Sequence, residues 1–227
     1  MIKNMLRGTV ALILALTPLA LPSTAAAAPA ALTGAAVLNL GDAVEEIPLA
    51  DESRTGYERE SFKHWNRGLD LTDGCNTRNE VLLAEAVEAP TVAAGCKLTG
   101  GLWRSYYDGQ EVNDPAKLDI DHMVPLAEAW DSGASAWTAG RREAYANDQD
   151  AATSLVAVTA RSNRSKSDQD PAEWMPPLPD AHCHYLSEWI ATKLRWGLAA
   201  DQAEADALKV YAEGPCKTTV VHYTPAP

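Results

Sequence analysis

Four cysteines restrict how this 227-residue chain can fold: Cys75, Cys96, Cys183 and Cys216. An even number of cysteines in an exported protein favours disulfide bonds over free thiols. Three pairings are possible, and we favour the sequence-local one, in which Cys75 bonds Cys96 and Cys183 bonds Cys216. Loops of these sizes would each stabilise the fold by about 3–4 kcal/mol on chain-entropy grounds.

The N-terminal segment, residues 1–28, indicates that the protein is exported. Lys3 and Arg7 precede an apolar run from Val10 to about Leu21, and small residues follow. This order of charged, apolar and small residues is typical of a secretory signal peptide. A membrane anchor is the alternative, but two prolines interrupt the run, and a spanning helix needs about 20 apolar residues. We therefore predict a secreted, extracellular protein that leaves the membrane after cleavage.

The remainder of the chain is long enough for one domain with its own hydrophobic core. Residues 29–55 are rich in Ala, Leu and acidic residues without a clear period, and we predict a loosely ordered arm there. We assign residues 56–227 to a single domain. The formal net charge of −12 becomes −14 once Lys3 and Arg7 are removed with the signal peptide. Such a charge argues against binding a polyanion over the whole surface, but it permits a local basic cleft.

Local patterns predict a mixture of helices and strands. Residues 77–89 are expected to form a helix, because Thr77 and Glu80 have the spacing of a capping box. Residues 91–109 alternate apolar and polar residues around glycines, which favours a hairpin. Further strands are predicted at 117–123 and 154–158, and further helices at 125–133, 138–147, 160–170, 185–198 and 201–212.

The stretch LDIDHMVPL carries the chemistry that most needs an explanation. Asp119 and Asp121 both lie within three residues before His122, although carboxylates are costly to bury and contribute little to a core. The same three side chains suit a divalent metal ion and a general base. Farther along the chain, the predicted strand 154–158 runs into a helix that carries the sequence SNRSKSD.

The blocks DIDHMVPL, AND and LVAVTARSNRSKSD, in this order, resemble the HNH, or ββα-metal, endonuclease motif. The chain is similar to the HNH domains of RNA-guided CRISPR nucleases, and closer to small secreted actinobacterial HNH nucleases, whose features also match DGCNTR, YYDG and DPAEWMPP. The resemblance covers most of residues 57–216. It implies an α+β fold with a ββα-metal core, surrounding helices, a small hairpin and stapling disulfides.

The resemblance also implies a role for individual residues. His122 corresponds to the general base, and Asp121 and Asn163 correspond to the metal ligands. Asn147 corresponds to the middle asparagine of the motif, which holds the loop of the base or orients its imidazole. Lys166 matches a basic residue that contacts phosphate. Many HNH proteins end the motif in histidine, whereas the oxygen donors Asp121 and Asn163 favour Mg²⁺ or Mn²⁺ over zinc.

Other residues near the motif have less specific roles. Arg161, Arg164 and Lys166 would form a basic edge that binds a nucleic-acid strand, although the two arginines are equally compatible with solvated surface charges. We expect Asp119 to orient a metal ligand rather than to bind the ion. Asn147 has a structural alternative as a helix C-cap.

One geometric requirement follows from the motif. Neighbouring residues of a strand point to opposite faces, so the strand is expected to end or bend near Asp121 and His122. A second metal site is conceivable in HCHY, residues 182–185. We prefer a disulfide for Cys183, because histidines two residues apart are poor ligands on a helix.

Taken together, these residues predict a monomeric, secreted, metal-dependent endonuclease of low sequence specificity. Its substrate would be DNA, with RNA as an open alternative. A secreted binding or scaffold protein that keeps the HNH shell without turnover is a second hypothesis. A toxin-like effector with an immunity partner is a third.

Overall fold

Two paired antiparallel strands, the second followed directly by a helix, form the centre of the fold. In the computed structural model, which describes residues 34–227, Leu118–His122 pairs with Leu155–Thr159, and Ala160–Lys166 continues from the second strand as a helix. The long connection between the two strands contributes further helices. The predicted signal peptide, residues 1–28, lies outside the described residues.

Among residues 34–227, the strands pair two by two into four antiparallel sheets. The strands are β1 (Ala36–Asn39), β2 (Thr91–Ala93), β3 (Lys97–Thr99), β4 (Trp103–Arg104), β5 (Glu111–Val112), β6 (Leu118–His122), β7 (Leu155–Thr159) and β8 (Val220–Tyr223). The α-helices are α1 (Leu40–Glu45), α2 (Thr77–Ala84), α3 (Leu126–Asp131), α4 (Ala139–Ala146), α5 (Ala160–Lys166), α6 (His182–Trp196) and α7 (Gln202–Glu213). The predicted α+β class is confirmed.

The two central strands, β6 and β7, are stabilised because their side chains alternate between two hydrophobic clusters. Leu118 and Ile120 of β6 lie in the smaller cluster, together with side chains of α2 and β4. Val156 and Val158 of β7 point to the other face and lie in the main core. On that second face β6 carries Asp119 and Asp121 instead, so polar groups stand at the edge of a buried sheet.

The two disulfides have the predicted sequence-local pairing. Cys75 bonds Cys96 with Cα atoms 5.0 Å apart, and Cys183 bonds Cys216 with Cα atoms 5.2 Å apart. The second bridge joins the first turn of α6 to the segment after α7 and closes a helical hairpin. Between these helices, α6 ends at Gly197, whose φ of 66° is left-handed and therefore favours glycine. No free thiol occurs within residues 34–227.

The prediction of a loosely ordered arm at residues 29–55 is wrong for a large part of that segment. β1 pairs with β8 near the C-terminus, and α1 packs its apolar stripe into the main core. The buried residues of this stripe are Leu40, Ala43, Val44 and Ile47. They have the i, i+3, i+4, i+7 spacing of an amphipathic helix, which is a signal that the compositional reading overlooked.

Helix α2 differs from its prediction at both ends. It ends at Ala84 rather than at residue 89, and its N-cap is Asn76, whose side chain accepts a hydrogen bond from the backbone of Asn79. Glu80 does not complete a capping box. It accepts hydrogen bonds from two backbone amides in the preceding loop. None of the helices in residues 34–227 combines the length and the apolar character needed to cross a bilayer.

Candidate active site

A cleft of about 450 Å³ opens beside the end of β6. It is lined by Asp121 and His122 from β6 and by Asn163 from α5. The structure therefore brings together the residues to which the sequence assigns the base and the metal ligands. The other lining residues come from β6, the segment before α2, the start of α3, and the last turn of α5 with the residues after it: Ile120, Tyr57, Arg59, Pro125, Leu126, Ala127, Arg164, Ser167 and Asp168.

As predicted, the strand β6 ends at this point, with Asp121 and His122 as its last two residues. The pairing of β6 with β7 continues through His122, opposite Leu155, and the amide of Met123 still donates to the carbonyl of Ser154. Within residues 34–227, β6 pairs along one edge only. The cleft lies against residues from both faces of this strand, which is possible because side chains from either face can reach the space beside an unpaired edge.

Asp121 is buried and is one of the residues that line the cleft. Its Oδ2 accepts hydrogen bonds from the hydroxyl of Tyr107 at 2.6 Å and from Nζ of Lys166 at 2.5 Å. Its Oδ1 has neither of these partners. The carboxylate is thus fixed through one oxygen, while the side chain lines the cleft. Burial raises the pKa of Asp121, and the ammonium of Lys166 opposes this rise by stabilising the carboxylate.

Lys166 was expected to contact phosphate, and this expectation is wrong. The side chain is 0% exposed, and Nζ donates to Asp121 and to the carbonyl oxygens of His122 and Met123. Burial lowers the pKa of Lys166. The carboxylate and the two carbonyl oxygens oppose this effect, because all three accept hydrogen bonds and favour the charged ammonium. The lysine therefore braces the end of β6 from inside the protein.

The imidazole of His122 is held by one hydrogen bond and two aromatic rings. Its Nε2 lies 3.0 Å from the carbonyl oxygen of Ala146, and this acceptor requires a proton on Nε2. In the neutral ring Nδ1 is then the free acceptor. The ring stacks on Trp65 at a centroid distance of 5.3 Å and on Tyr145 at 6.4 Å. Burial lowers the pKa of His122 to about 3, so the imidazole is neutral at physiological pH.

Asn163 and Arg164, which line the cleft from α5, form a connected group with Asp119 of β6. The amide nitrogen of Asn163 lies 3.4 Å from Oδ2 of Asp119, and Nε of Arg164 lies 3.3 Å from the same oxygen. Because the nitrogen of Asn163 is engaged in this way, its amide oxygen remains as a donor for a cation. Asp119 thus lies where an orienting partner of Asn163 is expected.

Comparison with known proteins identifies the family to which this chain belongs. The profile described as "GmrSD restriction endonucleases, C-terminal domain" matches residues 83–209, which include β6, β7 and α5. This chain belongs to the GmrSD C-terminal domain family. A protein of Arthroderma benhamiae named "Uncharacterized secreted protein" is 40% identical over 153 residues, which cover 67% of this chain and 72% of that protein. No solved structure matches the chain. Membership of the GmrSD family supports a nuclease, a hydrolase that acts on nucleic acid.

Asn147 does not reach the cleft in this GmrSD family member, so a direct catalytic role is not supported. It is the C-cap of α4, and its side chain is bonded to backbone groups of Lys63, Asn66 and Glu143 and to the hydroxyl of Thr77. The contact to the imidazole is made instead by the carbonyl of the preceding residue. Asn147 therefore anchors the segment that places Trp65 over His122.

The basic residues of the cleft differ from those expected. Arg161 lines a different cavity, on another side of α5, whereas Arg164 is in the cleft and its side chain is 75% exposed. Sequence reasoning missed Arg59, which reaches the cleft from a one-turn 3-10 helix. Arg59 has no ion-pair partner in the described part of the chain. Its only sequence signal was a cluster of charges in YERE, far from the motif.

Carboxylates that could hold a metal ion also occur away from the cleft. They form two overlapping groups: Glu52, Asp170 and Asp201; and Glu52, Glu128 and Glu204. In the second group the ammonium of Lys193 lies 2.9 Å from Glu128 and 2.5 Å from Glu204, so a cationic side chain already pairs with two of these carboxylates. Asp121 and Asn163 offer a different set, one carboxylate oxygen and one amide oxygen, which suits a hard divalent cation.

Proposed function

We propose that this protein is an exported, metal-dependent endonuclease of the HNH type that hydrolyses phosphodiester bonds of DNA with little sequence preference. The observation that carries the proposal is the shared cleft of Asp121, Asn163 and His122, in which the hydrogen bond to Ala146 leaves Nδ1 of the imidazole free. Membership of a restriction-endonuclease family agrees with it.

His122 would act as the general base. A water oxygen attacks phosphorus, Nδ1 accepts the proton of that water, and the bond from phosphorus to the 3′ oxygen breaks. The leaving oxygen takes its proton from solvent. The carbonyl of Ala146 holds Nε2 and stabilises the imidazolium that forms, while Trp65 and Tyr145 limit rotation of the ring.

Asp121 and Asn163 would hold the divalent metal, Mg²⁺ or Mn²⁺, whose contribution is to neutralise charge on the phosphate and the leaving oxygen. Lys166 fixes one oxygen of Asp121, and Asp119 fixes the amide nitrogen of Asn163. These contacts leave Oδ1 of Asp121 and the single amide oxygen of Asn163 as the atoms that would bind the ion.

Arg59 and Arg164 would bind the phosphate as it enters the cleft. Both residues line the cleft, and Arg59 has no competing carboxylate within residues 34–227. A guanidinium can donate two parallel hydrogen bonds to phosphate oxygens. A local pair of arginines thus provides attraction for an anion on a protein whose overall charge is strongly negative.

The first test is cleavage of supercoiled plasmid DNA with Mg²⁺ or Mn²⁺, with and without EDTA. His122→Ala is expected to lower the rate by about 10²–10⁴-fold, the usual contribution of a general base. His222→Ala is the matched control, because His222 is an exposed histidine on β8. Full activity of His122→Ala, or no cleavage by the wild type with either metal, would overturn the catalytic assignment.

Metal binding can be measured without turnover. Titration of Mn²⁺ followed by electron paramagnetic resonance should give one tight site that Asp121→Asn and Asn163→Ala weaken. Asn at position 121 retains an acceptor for Tyr107 and therefore disturbs the fold less than Ala. Asp180→Asn, at an exposed aspartate, is the control. Equal Mn²⁺ affinity in all variants would show that the ion is held elsewhere.

A secreted binding protein without turnover is the alternative to a nuclease. This alternative uses the acidic surface to bind a protein partner, and it predicts that the wild type leaves the plasmid intact with either metal. Export itself is tested by N-terminal sequencing of protein from the culture medium, with cleavage expected near residue 28. Size-exclusion chromatography with light scattering tests the predicted monomer.

A further inference from the structure

A second cavity, of about 400 Å³, lies beside α5 and has no role in the chemistry described above. Its wall is part polar and part apolar. The polar residues are Asp108, Gln110, Arg161, Ser162 and Ser165. The apolar residues are Trp174, Met175 and Pro177.

The two cavities lie on opposite faces of the same helix. At 3.6 residues per turn, Arg161, Ser162 and Ser165 fall within about 100° of one another on the α5 surface. Asn163 and Arg164, which line the first cleft, fall on the other side. A helix with its side chains is about 10–12 Å across, so a nucleic-acid strand that passes around α5 could reach both cavities.

Trp174 offers an aromatic surface that is rigidly supported from behind. Its ring packs against Tyr107 at 5.3 Å and Tyr185 at 5.6 Å, and its Nε1 lies 3.3 Å from Oγ of Ser165. The residue is only partly buried, and it lines the cavity. Such a ring, fixed in position and open on one side, can stack a nucleobase with little loss of side-chain entropy.

Arg161 supplies an uncommitted positive charge at the same cavity. It is exposed, and no carboxylate lies within ion-pair distance of it in residues 34–227. The nearby Asp108 is already engaged, since its Oδ2 accepts from the hydroxyls of Thr159 at 2.5 Å and Ser162 at 2.8 Å. Burial raises the pKa of Asp108, but these hydrogen bonds lower it further than burial raises it. They therefore stabilise the carboxylate without a contribution from Arg161.

We propose that this cavity binds one unpaired nucleotide of the substrate strand, with its base stacked on Trp174 and its phosphate on Arg161. The inference rests on the proposed nuclease function and deepens it, because a stacked base must leave a duplex. The preferred substrate is therefore single-stranded nucleic acid. The path halfway around α5 is about 16–19 Å, which at about 3.4 Å per stacked nucleotide places this nucleotide about five positions from the scissile phosphate.

The test compares single-stranded oligonucleotides that lengthen by one nucleotide at a time on either side of one cleavable bond. For the wild type, kcat/KM should rise about 5–150-fold when the strand reaches about five nucleotides beyond that bond, as expected for one stacked base. Trp174→Leu and Arg161→Gln should reduce the ratio between long and short substrates towards one. Trp174→Phe, which keeps an aromatic face, should retain much of it.

Lys217→Gln is the control, because it removes one exposed positive charge outside both cavities and should leave the ratio unchanged. Fluorescence anisotropy in EDTA gives a readout independent of turnover, with the single strand bound more tightly than a duplex of equal length. Failure of the wild type to cleave even short diesters would reject the nuclease function itself. Cleavage with no length dependence, or a length dependence that survives both Trp174→Leu and Arg161→Gln, would reject the second site alone.

Discussion

Lys166→Met tests the role of the buried lysine beneath the cleft. The substitution keeps most of the side-chain volume but removes the ammonium that donates to Asp121 and to the carbonyls of His122 and Met123. Both members of the ion pair are buried, with side chains 0% and 6% exposed. Asp121 would then remain as a buried charge without its cation.

The expected loss is large relative to the stability of a domain. Breaking a buried ion pair by removing one partner typically costs about 3–5 kcal/mol, whereas a whole domain is stable by about 5–15 kcal/mol. We therefore expect Lys166→Met to fold but to unfold at a much lower urea concentration. The double variant Asp121→Asn, Lys166→Met removes the uncompensated charge and should recover part of the loss.

Equilibrium urea unfolding of the oxidised protein, followed by tryptophan fluorescence, measures this free energy. Lys209→Met is a matched control, because Lys209 pairs with Glu45 on the surface, where an ion pair is worth about 0–1 kcal/mol. A loss below about 1 kcal/mol for Lys166→Met, with an unchanged slope m, would refute the reasoning. Weaker DNA binding by Lys166→Met at unchanged stability would instead support the contact between Lys166 and phosphate that the buried position of the side chain argues against.

Three further predictions concern stability. Replacing Cys75 and Cys96 together by Ser should lower the free energy of unfolding by about 3 kcal/mol, and an unchanged urea midpoint would contradict this. Burial raises the pKa of Glu188 from 4.5 to about 8, so the folded state retains a proton that the unfolded chain releases. Stability should fall as the pH rises from about 4.5 to 8, and Glu188→Gln should flatten this fall; equal pH slopes for both proteins would count against it. Asn147→Ala loses hydrogen bonds to several backbone groups and should destabilise the protein by about 2 kcal/mol in thermal unfolding, whereas full stability would show that the anchor is dispensable.

Sequence reasoning succeeded where the signal was local. The strands β6 and β7 follow from short apolar runs, and the helix α5 was expected directly after the second strand; the structure adds that the hydroxyl of Thr159 caps α5 by accepting from Ser162. It failed where partners are distant. The pairing of β1 with β8 joins segments from the two ends of the described chain, and no local pattern announces such a contact.

By itself, the sequence determined the order of strand, strand and helix, the cysteines available for bridging, and the placement of Asp121 and His122 at the end of the first strand and of Asn163 on the helix. Only the tertiary structure decided which charged residues face the cleft. Lys166 lies inside because its face of α5 packs on the aromatic core, and Arg59 enters from a segment about 60 residues before the motif. The identity of a residue specifies its charge, but the direction of its side chain depends on the element that packs against it.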